Sequence, residues 1–180
     1  DNGQFNLEKE VFGISGACPL YRTKAIEDVK IGDEYFDRDF FMYKEDVDIS
    51  WRLNLRGWKF IYYPKAIAFH GRGTGVIKRK TKWQIFKNRK SLSKMQRFYS
   101  YRNQKLMILK NLESRIFFKN IFSILFNEIL TFFYILIFET GITKAAFQSL
   151  KMAPRMIEKR KMIMKNRKQH SLDFLLHQKP

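Results

Sequence analysis

The chain has 180 residues, and its 35 lysines and arginines exceed its 17 aspartates and glutamates, which gives a net charge of +18 at pH 7. This excess predicts an anionic partner, either nucleic acid, a phosphorylated substrate or an acidic lipid surface. A single cysteine and three scattered histidines exclude an internal disulfide framework and a zinc-finger spacing.

The first part of the chain, residues 1–77, has the pattern of short mixed elements typical of an α/β fold. The predicted elements are a strand at residues 11–15, a helix from Thr23 to Val29, a helix at residues 45–56, and strands at residues 58–63 and 66–70. Gly57 is expected to end the second helix, because glycine tolerates left-handed backbone geometry. Val47, Trp51 and Leu55 share one face of that helix and are expected to point into the core.

The second part, residues 78–180, is predicted to be a helical, basic and amphipathic extension. Residues 78–119 contain 14 lysines and arginines but one acid, Glu113. The apolar run at residues 121–138 follows, and Pro154 is predicted to separate it from a second basic helix at residues 155–168.

The apolar run is about long enough to cross a hydrocarbon core of roughly 30 Å. However, Asn127 and Glu128 lie near its middle, and a charge at mid-bilayer costs about 2.5–3.5 kcal/mol. Basic residues on both sides also lack the asymmetry of a single span. We therefore expect a helix lying in the membrane interface, with a buried helix of a larger protein and a true span as alternatives.

Residues 36–52 place five carboxylates among bulky aromatic side chains. A buried carboxylate must be paired, metal-bound or catalytic, because desolvating it alone is costly. The spacing of Asp48 and Arg52 predicts an ion pair. Glu45 and Asp46 lie in the first helical turn, where free N–H groups stabilise negative charge. A general base fits that position, although acids at helix starts are also common without catalysis.

Several segments in the same order resemble the C-terminal half of the catalytic domain of family 2 glycosyltransferases, closest to the rhamnosyltransferase-like branch that builds bacterial surface polysaccharides. They are Gly16-Ala17-Cys18-Pro19-Leu20-Tyr21-Arg22, Phe36-Asp37-Arg38-Asp39-Phe40-Phe41-Met42-Tyr43, Glu45-Asp46-Val47-Asp48-Ile49 with Arg52, Gly57-Trp58, Tyr63-Pro64 and His70. The resemblance continues more loosely through Tyr101-Arg102-Asn103 and the basic helices, which are similar to the membrane-associated tail of that branch.

This resemblance implies part of a GT-A fold and an inverting transfer of a sugar from a nucleotide-diphosphate donor to a lipid-linked or polysaccharide acceptor. It implies that Asp46, beside Glu45, removes the proton of the acceptor hydroxyl. The residues expected to bind substrate are Asp48, Trp51, Arg52 and Arg72. His70 matches a position near a divalent metal, Mg²⁺ or Mn²⁺, although a histidine hydrogen-bonded at a strand end is equally compatible.

The family's nucleotide-binding half, with its Asp-x-Asp motif for metal and diphosphate, has no counterpart before Asp1. Asp37-Arg38-Asp39 has the same letters, but the resemblance places it in the segment that shapes the acceptor side. We therefore expect the C-terminal part of a longer enzyme, inactive alone, with the metal held mostly by the other half. The loop at residues 71–75 lacks a Walker sequence and is expected to cover the site or form a plain turn.

Two other function classes remain open, a basic nucleic-acid-binding module and a non-catalytic membrane-bound scaffold. The aromatic side chains of residues 117–138 lie apart from the basic residues and no nucleic-acid motif is present, so no nucleic-acid partner is expected. A scaffold needs no acidic pair such as Glu45 and Asp46. The expected location is the cytoplasmic face of the cell membrane, peripheral or monotopic.

Overall fold

The structure, a computed structural model, describes residues 5–69 and 91–170. Their elements are β1 (Lys9–Val11), α1 (Thr23–Asp28), α2 (Glu45–Leu55), β2 (Phe60–Tyr62), α3 (Lys94–Asn111), α4 (Ser114–Lys119), α5 (Ile121–Phe138), a 3-10 turn (Thr140–Ile142) and α6 (Thr143–Lys165). Short mixed elements followed by helices are therefore present as predicted, and the GT-A fold as a whole stays a prediction.

β1 and β2 form a two-stranded antiparallel sheet in which Glu10 lies opposite Ile61. The strand predicted at residues 11–15 is wrong beyond Val11. The chain there turns onto α2, and Gly13 lies so close that a Cβ would stand 2.4 Å from the Ser50 hydroxyl oxygen. Residues 66–69 are not a strand either, and His70 lies outside the described residues.

Helix α2 is shared by the short elements and the later helices. Gly57 has a φ of +87° and ends it as predicted. On one side, Ile49 and Leu53 pack with Ala25, Val29 and Phe60. On the other side, Leu55 packs with Ile31 and Ile163, while Val47 and Trp51 contact the cluster of Phe40, Leu106, Met107 and Met156. The predicted core face of α2 is thus confirmed.

Helices α3 and α6 run along each other and cover the acidic segment. α3 begins with a capping box, in which the Ser93 hydroxyl accepts the Gln96 N–H and the Gln96 side chain accepts the Ser93 N–H. Its Leu106 and Met107 pack on Phe40 from the first part of the chain. The two predicted parts therefore share an interior, while their boundary between residues 77 and 78 lies outside the described ranges.

The predicted break at Pro154 is wrong, because α6 continues through it. Proline removes one N–H donor, which leaves the Leu150 carbonyl without its usual partner. Leu150 is 72% exposed, so water can satisfy that carbonyl. Buried Met156 and Lys159 follow within two turns and hold the continuing helix against the interior.

Helix α5 coincides with the predicted apolar run. Ten of its 18 residues are large apolar side chains on the exposed surface. By length and composition alone, it is long and apolar enough to cross a membrane, and 6% of it is buried among the described residues. Since so little of α5 is covered, its apolar surface needs another environment than the described residues provide.

Candidate active site

The loop before α2, residues 39–44, has an unusual backbone. Phe41, Tyr43 and Lys44 have φ angles of +59°, +65° and +74°. A side chain with a Cβ disfavours this left-handed region, at a cost of about 1 kcal/mol or more for each residue. The loop therefore depends on its surroundings to keep this shape.

Arg102 and Asn103 of α3 provide hydrogen bonds to that loop. The Asn103 side-chain amide lies within bonding distance of the carbonyl oxygens of Phe40, Met42 and Tyr43, at 2.7, 2.6 and 2.9 Å. The Arg102 guanidinium donates to the Asp39 carbonyl at 2.6 Å and to the Asn103 side-chain oxygen at 2.9 Å. Both side chains are buried, so these bonds are partly shielded from water.

Asp46 lies directly after this loop, in the first turn of α2. The Gly16 N–H donates to its Oδ2 at 3.1 Å and the Val47 N–H to its Oδ1 at 2.8 Å. The side chain is half-buried, and within the described residues it forms no ion pair. Backbone amides thus hold a carboxylate that solvent can still reach, an arrangement that is compatible with a general base.

Two polar atoms near Asp46 are buried without a hydrogen-bond partner among the described residues. They are the Glu45 Oε2 and the Tyr21 hydroxyl. Burial raises the pKa of Tyr21, and the charge of Asp46 raises it further. The phenol therefore keeps its proton and can donate a hydrogen bond. Buried polar atoms without partners are rare and often mark functional sites. Glu45 and Tyr21 therefore each have an unused hydrogen-bonding atom near the start of α2.

Asp48, two residues after Asp46, is completely buried. The Arg52 Nε donates to its Oδ2 at 3.0 Å, which confirms the ion pair predicted from the spacing. From α3, the Lys110 ammonium lies 2.8 Å from Asp48 Oδ1, and the Asn111 amide donates to the same oxygen at 2.7 Å. The charge of Asp48 is thus fully neutralised inside the protein.

Asp37 and Asp39 are neutralised in the same way. Lys159 of α6 lies 2.5 Å from an Asp37 oxygen and 2.7 Å from an Asp39 oxygen, and Lys110 also pairs with Asp37. Burial alone would raise the pKa of Asp37, but these two ammonium groups outweigh it and hold the pKa at about 2. Asp37 therefore carries full negative charge at neutral pH.

The described acids do not fit a metal centre. Residues 5–69 and 91–170 contain no group of three or more His, Cys, Asp or Glu side chains that could hold an ion. The oxygens of Asp37 and Asp39, which carry the letters of a metal motif, accept hydrogen bonds from Lys159. A metal held by the other half of the enzyme stays a prediction, and His70, Arg72 and the loop at residues 71–75 lie outside the described residues.

The residues predicted to bind substrate do not lie together on one surface. Asp48 and Arg52 are 0% and 2% exposed, and the Arg52 guanidinium also donates to the Tyr35 carbonyl at 2.6 Å. Trp51 is half-buried, with its ring edge-to-face against Phe12 at 6.2 Å. This placement favours a structural role, and contact of these residues with substrate stays a prediction.

Reasoning from the sequence missed the cations that cross from the extension to the acids. On α3, Arg102, Leu106 and Lys110 form one i, i+4, i+8 row, and Asn103, Met107 and Asn111 form the next. A face that mixes core residues with polar groups at this spacing predicts buried polar side chains, which need partners. That pattern could have indicated the contacts to the acidic segment. No comparable pattern in the sequence indicated that the Tyr21 hydroxyl would be buried near Asp46.

Comparison with known proteins identifies the family of the chain. The family model for glycosyl transferase family group 2 matches residues 3–147, which is most of the chain. An N-acetylglucosaminyl-diphospho-decaprenol L-rhamnosyltransferase of Mycobacterium tuberculosis is 41% identical over 63 residues, 35% of this chain and 19% of the relative. A poly-beta-1,6-N-acetyl-D-glucosamine synthase of Staphylococcus aureus is 39% identical over 56 residues, 31% of this chain and 12% of the relative.

The matched residues thus span less than a fifth of the length of these curated relatives. No solved structure matches the chain significantly. The family is therefore established by the sequence match, and the arrangement of the site comes from the contacts described above.

Proposed function

The chain belongs to glycosyl transferase family group 2, and on that premise we propose that it supplies the acceptor side of an inverting sugar transfer. The single observation that carries this proposal is the contrast at the start of α2. Asp46 is held by the N–H groups of Gly16 and Val47 and stays reachable, whereas the neighbouring Asp48 is buried and paired with Arg52 and Lys110.

In the proposed reaction, Asp46 takes the proton of an acceptor hydroxyl as its oxygen attacks the anomeric carbon of the donor. The bond from that carbon to the diphosphate breaks, and the nucleoside diphosphate leaves with the electron pair. One displacement from the opposite face inverts the anomeric configuration. A positioned general base contributes about 10²- to 10⁴-fold to such a rate.

The unpartnered atoms beside Asp46 suggest how the acceptor is held. The Tyr21 phenol can donate a hydrogen bond, and the Glu45 Oε2 can accept one. We assign them to acceptor hydroxyl groups, which carry both donors and acceptors; because both atoms are buried, neighbouring side chains must move when the acceptor binds. The donor nucleotide and any metal are assigned to residues outside those described, because the acids found here are already paired with Lys110, Lys159 and Arg52.

The acceptor class that we propose is a glycan on a polyprenyl diphosphate, in analogy to the name of the mycobacterial relative.

Helices α3, α5 and α6 enclose a groove of about 550 Å³ lined mainly by apolar side chains, among them Leu106, Phe132 and Leu150. Lys105 pairs with Glu128 beside this groove, which neutralises the charge in the middle of α5. That pairing lowers the cost of placing α5 in lipid.

We propose that α5 attaches the protein to the cytoplasmic face of the membrane. Its exposed apolar side chains and the basic residues of α6 support this. Full-length protein should bind vesicles that contain anionic lipid, and raising the salt should weaken the binding without abolishing it, because the inserted apolar face remains. Complete release by salt would contradict insertion of α5. Vesicles of neutral lipid provide the control.

The transfer itself is tested with the full-length protein, a panel of nucleotide sugars and a polyprenyl-diphosphate-linked acceptor. We expect release of nucleoside diphosphate and a product whose anomeric configuration, read by NMR, is opposite to that of the donor. Asp46→Asn should lower turnover at least about 100-fold with donor binding unchanged. Asp33→Asn, on an exposed loop, is the matched control. A product of retained configuration would contradict the proposed mechanism.

A further inference from the structure

We infer that Arg102 and Asn103 are positioning residues for the sugar transfer. From α3 they hold the loop at residues 39–44, in which Phe41, Tyr43 and Lys44 have positive φ angles. The shape of this loop sets the start of α2 and the direction of the Asp46 carboxylate. The inference rests on the proposed function of Asp46, and it makes the helical extension part of the frame of the active site.

Local hydrogen bonds, from the Phe40 N–H to the Asp37 carbonyl and from the Met42 N–H to the Phe40 carbonyl, do not remove the cost of the positive φ angles in the loop. Phe41, Tyr43 and Lys44 all have a Cβ and all have positive φ, a region that glycine occupies far more readily. Lys44 precedes α2 as its N-cap but provides no side-chain hydrogen bond to the helix start, unlike the serine or aspartate usual at that position. Contacts from elsewhere must therefore select this conformation.

Asn103 provides those contacts to the carbonyl groups of the loop. Its amide nitrogen lies within 2.9 Å of the carbonyl oxygens of Phe40, Met42 and Tyr43. The side chain is 0% exposed; its bond to the Phe40 carbonyl is buried, and those to the Met42 and Tyr43 carbonyls are partly buried. A buried carbonyl without a donor is costly, so each alternative loop conformation would lose these bonds together.

Arg102 fixes both the loop and the orientation of Asn103. Its guanidinium donates to the carbonyls of Asp39 and Phe40 at 2.6 and 3.3 Å, and its Nε donates to the Asn103 side-chain oxygen. That last bond fixes which end of the Asn103 amide faces the loop. The Arg102 guanidinium carbon lies 4.6 Å from the centroid of the Tyr99 ring, and this ring also contacts the Phe41 ring.

The loop is connected to Asp46 by the first turn of α2. The Asp48 N–H donates to the Lys44 carbonyl at 2.8 Å, which makes Lys44 the residue on which the helix starts. Asp46 lies two residues further on, and its Oδ2 must meet the Gly16 N–H at 3.1 Å. A change in the loop would rotate this turn and move the carboxylate, and a displacement of about 1 Å can lower a rate about 10²-fold.

The test compares Asn103→Ala with Ile163→Ala in the full-length protein. Ile163 of α6 packs with Ile31 and Leu55, away from the loop, so its truncation destabilises without touching residues 39–44. We expect Asn103→Ala to lower kcat about 10- to 100-fold with donor KM within about twofold. Ile163→Ala should leave kcat within about twofold of the wild type.

Hydrogen exchange supplies a readout that does not depend on activity. The amides of Gly16 and Asp48 report the contacts of Asp46 and Lys44. Both should exchange faster in Asn103→Ala than in the wild type, and neither should change in Ile163→Ala. Rescue sharpens the test, because Lys44→Gly lets the loop reach positive φ without steric cost. It should recover several-fold of kcat in the Asn103→Ala background and none in Ile163→Ala.

Unchanged exchange at both amides in Asn103→Ala would overturn the inference. An equal loss of kcat in Ile163→Ala, or a lack of rescue by Lys44→Gly, would overturn it as well, because the effect would then be general destabilisation. If exchange rises as expected but the wild-type protein transfers no sugar, the loop contacts stand and the proposed function fails.

Discussion

The acidic segment contains two kinds of carboxylate, although they lie within twelve residues of each other. Asp37, Asp39 and Asp48 form ion pairs at hydrogen-bond distance with Lys110, Lys159 and Arg52. Glu45 and Asp46 form no ion pair within the described residues, and Asp46 is held by backbone N–H groups. The paired acids connect α2, α3 and α6 to the segment, and our proposal assigns the chemistry to Glu45 and Asp46.

The comparison also shows where some of the many basic side chains lie. Several cations that contribute to the net charge of +18 are directed inwards. Arg52, Arg102, Lys110 and Lys159 are at most 6% exposed. A buried cation must be paired, and these groups pair with acids and carbonyls of the first part. Among the described residues four acids, Asp37, Asp48, Glu113 and Glu139, are buried as well, so the burial of these cations leaves the net charge of the remaining residues at +18.

The largest effect is expected for Lys110→Met, which tests the structural side of the comparison. The change leaves Asp48 and Asp37 with fewer partners in the interior, and breaking such a pair costs about 3–5 kcal/mol. The free energy of unfolding from urea titration should fall by that order. Lys161→Met, at an exposed site on α6, should change it by less than about 0.5 kcal/mol. Equal effects would contradict a stabilising network.

A smaller effect is expected from the titration of Asp37. Its pKa is about 2 in the folded protein against 3.8 for an ordinary aspartate, so its stabilising contribution is present above about pH 4. It is lost as the pH falls from about 4 to about 2, and it amounts to the order of 2 kcal/mol. Unfolding at several pH values should show a shallower acid dependence in Asp37→Asn. Identical slopes would mean that this carboxylate is not held charged by its lysines.

The smallest effect is expected for Lys44→Gly, in the loop that leads to the reactive side. Because glycine adopts positive φ without a steric cost, the free energy of unfolding should rise by about 0.5 kcal/mol. Lys161→Gly, inside α6, should instead lower it by about 1 kcal/mol. A loss of stability in Lys44→Gly would show that the lysine side chain makes contacts that outweigh the backbone strain.

Local physics allowed much of this to be predicted from the sequence. The helix at Glu45, its end at Gly57, the ion pair of Asp48 and Arg52 and the extent of α5 all depend on neighbours within a turn or two. The resemblance of short segments also predicted Asp46 as the base, and that role stays a proposal. These features follow from spacing, capping and hydrophobic pattern.

The parts that sequence could not supply depend on contacts across long separations. Lys159 meets Asp37 across 122 residues, and no local pattern specifies which acid a lysine reaches. The strand predicted beyond Val11 was wrong because a tertiary contact of Gly13 with α2 replaces pairing. Pro154 did not end α6 because its position on the exposed side makes the lost hydrogen bond tolerable.

The most direct test measures turnover and the free energy of unfolding together for Asp46→Asn and Asp48→Asn in the full-length protein. Asp46→Asn should lower turnover at least about 100-fold and change stability by less than about 0.5 kcal/mol, because an amide oxygen can still accept the Gly16 N–H. Asp48→Asn should lower stability by about 3 kcal/mol and leave the turnover of the folded fraction within about tenfold. A stable but inactive Asp48→Asn beside an active Asp46→Asn would contradict the division of the acidic segment.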